Sequence, residues 1–460
     1  VEVDVVVYPV GKNGFEPRTV RKCKVAAINP AMDLAIVKME APHQDMRELT
    51  RVLAEQCPRC FVVASVDFSH YQPVALADLH DRLTLRALEE RNEDLFLQKS
   101  EADAPPVLAF FARWAQAQDT NRFTLFDHTN SGAIIGDLDV ESTSHILGWY
   151  EEGESIESDT SVSFAIGGDM MFGRAVGYWY EQNAFRELFS EFGNRVFWGV
   201  DAPIVNLEGP VSEDPIRSDP KPNVLSFNFP PQSITALKFL KLGAVSLANN
   251  HTLNQGVVGL ETTRRLLHEN GICPAGDPRA VDNASVCRFQ GKGLALHLIG
   301  VNVLSHPDQK PLIDTIREIK NDAHNRVIVF PHWGTEYQQK HSPEQEQLAH
   351  RWIDAGADAV IGAHPHVIQD VGIYNGKPIV YSLGNFVFDQ TFSKETQQGL
   401  IVAGEFTDEG LSLVLLPHES NHAKPHLLRG KEKQKLIDTI SGAVKDYRKD
   451  TARGTVFFFP

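Results

Sequence analysis

Between residues 161 and 418 an apolar run of strand length is followed repeatedly by a short polar cluster and then by an amphipathic stretch. The runs SVSFAIGGDM, APIVNLEG, AVSLANN, RVIVFPHWG and ADAVIGAHPH read as buried strands. Between them lie SITALKFLKLG, VGLETTRRLLHENG and SPEQEQLAHRWIDAG, each ending in Gly, a common helix stop. This alternation predicts an α/β domain. Each polar cluster sits just after its strand. That order gathers the clusters at the carboxyl edge of one sheet, where open α/β sheets bind ligands.

Five clusters carry the chemistry: Asp169 in GGDMM, Asn206 and Glu208 in NLEG, Asn250 and His251 in ANNH, His332 in PHWG, and His364 with His366 in GAHPH. Carboxylates, amide oxygens and imidazoles together form a mixed O/N donor set. Such a set suits one or two divalent transition ions, Mn, Fe or Zn, better than Ca or Mg. A strand continuing through His364 and His366 would put both rings on one face. Pro365 between them predicts a turn instead, from which the rings would reach two adjacent metal positions. Asn250 is expected as a ligand, whereas Asn206 reads equally as a ligand or a loop-shaping residue. Each His alone would be a surface or packing residue; their coincidence at strand ends with Asp169 and Glu208 points to a shared site. Asn385 and Phe386 in SLGNF read as bracing the pocket, and His268, His297, His324, His341 and His350 as structural.

The order of these clusters resembles that of the calcineurin-like metallophosphoesterases. The strings GDMMFGR, NLEG, NNH, HWG, GAHPH and SLGNF resemble the CapA family, associated with poly-γ-glutamate capsule synthesis. The resemblance spans nearly all of 161–418 and implies an α/β metallophosphoesterase-like layered sandwich, with helices on a two-sheet core. It also implies roles. Asp169 and His366 would hold a first metal, Glu208 would bridge, and Asn250, His332 and His364 would hold a second. His251 would stand beside the substrate as proton donor or charge stabiliser, and a water activated by coordination would be the nucleophile. Arg174, beyond Asp169, would pair with a substrate phosphate or carboxylate oxygen, or equally be a solvated Arg or a helix-face ion pair. One position departs from the pattern. Metallophosphoesterases carry Asp-x-His on the first strand, and here the third residue is Met171, a poor ligand for a hard site. The first metal position is thus one ligand short, which leaves single-metal occupancy open.

The implied function is a metal-dependent hydrolase or transferase acting on an anionic polymer or a phosphorylated small molecule, within a membrane-associated capsule synthesis complex. The rival is a non-catalytic polyglutamate-binding assembly subunit. The net charge of −16 argues against a nucleic-acid partner, since phosphate binding depends on clustered Lys and Arg. That charge also gives no long-range attraction to an anionic polymer, so metal or local cations must hold one.

The rest of the 460 residues divides into a β-rich fragment (1–44), a block of strands and helices (45–152), an acidic linker (153–160) and a basic tail (419–460) with a helix near LIDTISGAVKDYRKD. VRKCKVAAINPAMDLAIVKME resembles the strand pair of an HtrA-like trypsin fold that carries the triad Asp, here Asp33. The first 42 residues contain no His, so protease activity is not expected. CFVVASVDFSHYQP and NSGAIIGDLDVESTSHILGWYEE resemble the second half of a Memo-like domain (AmmeMemoRadiSam system protein B). That likeness implies a third function, redox or radical-enzyme accessory work. Without the ligands of a first half, Asp67, Ser69 and His70 read as structural.

Five cysteines make an incomplete disulfide set, and Cys57 and Cys60 in CPRC read as two thiols at a helix-to-strand junction. No run of about 20 apolar residues is present, so no transmembrane helix is expected. The chain opens on Val1 in a strand-like run, and an upstream piece able to hold a signal peptide or anchor is expected to be missing. The resemblance implies association with the cell envelope, the alternative being the cytoplasm.

Overall fold

The computed structural model describes residues 62–154, 159–180, 185–192, 195–212, 226–282, 285–305 and 308–460, with Arg47, Thr50, Arg51 and the backbone of four N-terminal strands. Those strands, β1 (Asp4–Val7), β2 (Arg18–Lys22), β3 (Lys24–Asn29) and β4 (Leu34–Lys38), form two antiparallel pairs, β1 with β2 and β3 with β4. Asp33 and the Cys57–Cys60 pair lie outside the described residues.

The chain forms two compact units, one of Val1–His70, His80–Gly136 and Glu141–Ser158, the other of Tyr71–Leu79, Asp137–Val140 and Asp159–Pro460. In the first, after β5 (His70–Gln72), of which only His70 belongs to this unit, β6 (Arg122–Asn130) and β7 (Ser142–Glu151) pair antiparallel. A helix over Pro105–Ala117 buries Leu108, Ala109 and Ala112 with Phe96 and Phe123 in a small core. Asp67 Oδ2 lies 3.8 Å from His70 Nε2, and Ser69 donates to Asp81 at 2.8 Å. Among the described residues, the side-chain groups able to hold a cation include neither Asp67 nor His70.

The second unit holds the polar clusters. Strands β8 (Ser161–Met170), β9 (Ala202–Leu207), β10 (Ala244–Ser246) and β11 (Cys273–Ala275) run parallel as neighbours in that order. A second sheet follows, with β12 (Val286–Gln290), β13 (Ala295–Asn302), β14 (Asn325–His332), β15 (Ala359–Ile361), β16 (Val371–Tyr374) and β17 (Lys377–Val380). Its order is β12-β13-β14-β15-β17-β16, with β13, β14, β15 and β17 parallel. The chain then returns to the first sheet. There β18 (Asn385–Val387) runs parallel beside β8 and β19 (Gln398–Thr407) antiparallel to it. Finally, β20 (Leu411–Asn421), β21 (Lys424–Leu427), β22 (Arg448–Thr451) and β23 (Gly454–Phe459) extend that sheet.

Alternation along the strands builds the layers. Phe164 and Ile166 of β8 point between the sheets, where they meet Leu296, Leu298, Ile328 and Phe330. Ala165, Val205 and Val245 point the other way, into a core with Val176, Leu237 and Leu260 of the helices Arg174–Tyr180, Ser233–Phe239 and Gly256–Glu269. On β14, Val327 and Val329 face Leu312, Ile316, Ala349 and Trp352 of the helices Gln309–Ile319 and Pro343–Asp354. Both faces of each parallel block are thus covered, which is why these strands are apolar runs rather than alternating ones. The result is the α/β layered sandwich expected, with helices on a two-sheet core.

Three features differ from the sequence reading. The polar clusters come from the carboxyl edges of two sheets, not one: β8, β9 and β10 belong to the first, β14 and β15 to the second. Antiparallel pairing of β12 with β13 starts the second sheet, and strand periodicity carries no record of which strands pair. Residues after Glu419 are no free tail. Strand β20 runs across residue 418, β23 pairs with it, and Ile437, Ile440, Phe457 and Phe459 enter the core between the sheets. Lastly, Cys273 on β11 and Cys287 on β12 form a disulfide with Cα atoms 6.1 Å apart. It ties an edge strand of the first sheet to an edge strand of the second.

Closing a loop across the 14-residue separation of these cysteines is worth about 3 kcal/mol in the chain-entropy account. Reduction, or Cys273→Ser with Cys287→Ser, is expected to lower the denaturation midpoint by a corresponding amount without altering the native circular dichroism spectrum.

Candidate metal centre

Asp169 closes β8, and its position depends on a close backbone crossing. Its N–H donates to the Gly384 carbonyl at 3.0 Å. A Cβ on the preceding Gly168 would sit 2.0 Å from that same oxygen, so only glycine fits there. Glu208 follows β9, with its N–H on the Met170 carbonyl at 2.9 Å. The two carboxylates are thereby fixed at adjacent strand ends, both fully buried.

The imidazoles arrive from the second sheet and from the loop after β10. His366 Nδ1 lies 3.2 Å from Asp169 Oδ2 and 3.0 Å from Asn385 Oδ1, while its Nε2 lies 3.6 Å from Glu208 Oε1. Asn385 donates from Nδ2 to Gln390 and to the Thr396 carbonyl, so its oxygen is the atom presented to His366. That contact takes the Nδ1 proton and leaves Nε2 toward Glu208, the outer orientation that metal-binding histidines commonly have. His332 Nε2 lies 2.9 Å from Asn250 Oδ1, 3.1 Å from His364 Nδ1 and 3.9 Å from Glu208 Oε1. His364 and His366 do sit in a turn, with φ of 101° and 58° on either side of Pro365.

Two groups of donors result, each with ligand atoms within 4.8 Å of one another: Asp169, Glu208 and His366, and Glu208, His332 and His364. Glu208 is common to both, and Asn250 Oδ1 adjoins the second. Asn206 is not free to ligate. Its Nδ2 donates to Asp169 at 2.8 Å and its oxygen accepts from Asn249, so it props the first carboxylate. His251 stands at the edge, stacked on Phe227 at 4.1 Å, with Nδ1 on Asn254 and Nε2 3.9 Å from Glu208 Oε1. Arg174 Nε pairs with Asp389, outside its own helix, at 3.2 Å, and its guanidinium lies 5.8 Å from the Phe227 ring. Met171 is buried, and its sulfur accepts from the Gly173 N–H at 2.9 Å, a contact within its own turn.

The electrostatics fit a cation. Neither Glu208 oxygen has a hydrogen-bond partner among the described residues, although the side chain is wholly buried. Burial, with Asp169 beside it, pushes that carboxyl well above its ordinary range. Burial also lowers His366, but the facing Glu208 and the Asp169 contact lift it to about 9. A metal bound in this cluster would supply positive charge beside the buried acid. Burial and the neighbouring rings hold His332 far below its usual value and bring His364 to about 4, so both are neutral, the form that ligates. Burial likewise lowers His251. A buried carboxylate with no hydrogen-bond partner, set beside the neutral imidazoles of His332 and His364, is well suited to a cation.

Sequence reasoning missed Asn249, Asp389, Phe227 and Glu336 at this site. Asn249, fully buried, donates to the Leu207 carbonyl and accepts from the N–H groups of His251 and Thr252, tying the loop after β10 to β9. The first Asn of ANNH was the available signal. Glu336, exposed, forms a third group with His364 and His366.

Comparison with known proteins bears on the same segment. Residues 163–390 match the family model described as bacterial capsule synthesis protein PGA_cap. The chain is 31% identical over 262 residues to the PGA biosynthesis protein CapA of Bacillus subtilis (strain 168), covering 53% of this chain and 68% of that protein. It is 25% identical over 344 residues to the capsule biosynthesis protein CapA of Bacillus anthracis, covering 67% and 79%.

Two outcomes follow from the site's electrostatics. Glu208→Gln is expected to leave the metal-free protein at least as stable as the parent, because it removes a penalised buried acid, and to abolish the rise in Tm on adding Mn²⁺ or Zn²⁺. Thermal scans with and without metal check both halves. The second concerns His418, buried behind Asn385 with Nε2 3.1 Å from its carbonyl, where burial brings the imidazole to about 4. An unfolded His titrates near about 6.5. Its contribution to stability is therefore complete above that pH and is lost as pH falls toward 4, because the unfolded chain takes up an extra proton. The slope approaches about 1.4 kcal/mol per pH unit. Urea denaturation between pH 7 and 4 should show this decline, flattened by roughly one proton in His418→Gln.

Proposed function

This chain belongs to the PGA_cap family of bacterial capsule synthesis proteins, and from that premise we propose a metal-dependent hydrolase or transferase serving poly-γ-glutamate capsule synthesis. Asp169, Glu208 and His366 would hold one divalent ion, and Glu208, Asn250, His332 and His364 a second. Bound there, the metal supplies Lewis acidity and an activated water at neutral pH. The observation that carries the reading is the partnerless Glu208 carboxylate shared by both groups.

The chain's own residues have complementary tasks. His251 keeps its Nδ1 proton on Asn254, so Nε2 faces the site as the group that gives or takes a proton. Phe227 stacks on that ring and fixes its plane. Arg174, anchored by Asp389, is a positive charge beside Phe227 for a phosphate or carboxylate of the substrate. Given the net charge of −16, such local cations and the metal must hold an anionic polymer. The substrate is a phosphate- or amide-linked anion, and a membrane-associated synthesis complex is the proposed setting. No helix among the described residues is long and apolar enough to cross a membrane. The Cys273–Cys287 bridge supports work in an oxidising compartment, in line with the cell envelope.

Metal analysis of the purified chain, paired with turnover on a panel of phosphodiesters and γ-glutamyl amides, tests the reading. Metal and turnover should both disappear in Asp169→Ala and His366→Ala. Metal without turnover on any substrate would favour the polyglutamate-binding subunit, and no metal in the parent protein would end both readings. His251→Gln is expected to lower kcat by about 10²–10⁴-fold with metal content unchanged.

A further inference from the structure

We propose that Glu336 is an additional ligand of the metal centre, contributed from the solvent side beside His364 and His366. The inference rests on the metal-centre reading above and adds a residue that the family motifs did not single out.

Placement is the first argument. The ligand atoms of Glu336, His364 and His366 all lie within 4.8 Å of one another. His364 also belongs to the group with Glu208 and His332, and His366 to the group with Asp169 and Glu208. Glu336 therefore faces one imidazole from each of the two groups. Asp169 and Glu208 are fully buried, and Glu336 is exposed.

The loop that carries Glu336 is pinned to the loop that carries the two histidines. Trp333 donates its N–H to the Ala363 carbonyl at 3.2 Å and its indole N–H to the Tyr381 carbonyl at 2.8 Å. Gly334 turns the chain at φ 87°, where a Cβ would press on the Gln345 side chain at 2.8 Å. Beyond Glu336, Tyr337 holds φ 65° and donates its N–H to the Pro365 carbonyl at 2.8 Å, between His364 and His366. A left-handed tyrosine is strained and persists only where its surroundings over-determine it. Glu336 is thus bracketed by residues bonded to the same turn it faces, so its carboxylate is held near the imidazoles.

Need is the second argument. The Met171 sulfur is turned onto the Gly173 N–H at 2.9 Å inside the core, which leaves the first position with Asp169, Glu208 and His366. Glu208, wholly buried and partnerless on both oxygens, marks the same cluster as built for a cation. Charge is the third. With neutral imidazoles, a third carboxylate brings the ligand charge closer to that of two divalent ions, and the remaining positive charge suits an anionic substrate.

The test uses the full chain and two substitutions. Glu336→Gln removes the charge but keeps the length; Glu336→Asp keeps the charge but withdraws the oxygens by one methylene. Titration calorimetry with Mn²⁺ and Zn²⁺, elemental analysis and the visible spectrum of the Co²⁺-loaded protein report affinity, stoichiometry and ligand field. Both variants should lose one ion or bind about tenfold or more weakly, with an altered Co²⁺ spectrum and an unchanged metal-free Tm. Either variant binding like the parent overturns the proposal, and a parent-like Glu336→Asp would mean that the residue contributes only potential. Asp169→Asn is the control. If the parent binds no metal, or Asp169→Asn binds as the parent does, the site reading itself fails and this inference with it.

Discussion

A carboxylate shut away from water with no hydrogen-bond partner is among the costlier arrangements a folded domain can contain. Glu208 is such a group, and much around it makes sense as the means of keeping it there. Its strand is buried on both faces, its own N–H is spent on Met170, and three imidazoles approach one of its oxygens within 3.9 Å without bonding it. A cation is the partner that would satisfy the carboxylate and those rings together.

Amides, not further charges, hold the ligands in place. Asn206 props Asp169, Asn249 ties the His251 loop to β9, and Asn385 orients His366. Each makes several hydrogen bonds in the interior, so each is satisfied and rigid at once. This outer ring lets exposed and half-buried groups such as Asn250, His251 and Glu336 stand at the rim while the buried donors stay fixed. The disulfide and the C-terminal strands act at longer range, by joining the edges of the two sheets and filling the core between them. A site drawn from two sheets depends on their relative placement, and a displacement of about 1 Å is felt in metal and catalytic geometry.

Much of this was legible in the residues, for identifiable reasons. Parallel strands covered on both faces appear as apolar runs, so β8, β9, β14 and β15 stood out, and their ends carried Asp169, Glu208, His332, His364 and His366. Pro365 foretold the turn between the two histidines. Other features were not legible. Glu336 lies four residues past His332 in a loop, and nothing in TEY separates a ligand from a solvated acid until Tyr337 is seen bonded to Pro365. Arg174 was open between substrate and ion pair because Asp389, its partner, is more than two hundred residues away in the chain. Residues after Glu419 looked like a polar tail because the helix that dominates them is charged on its outer face, while their apolar strand residues are few and widely spaced.

The amino-acid order by itself determined the donor types, their placement at strand ends and the α/β character of the domain, because those depend on local periodicity and on which residue follows which. Only the tertiary structure decided that two sheets share the site, that one glutamate serves both donor groups, that two cysteines on different sheets meet, and that an exposed acid adjoins the histidine pair. Those are distances between segments far apart in the chain, set by which strands pair and how layers stack, and periodicity holds no record of them.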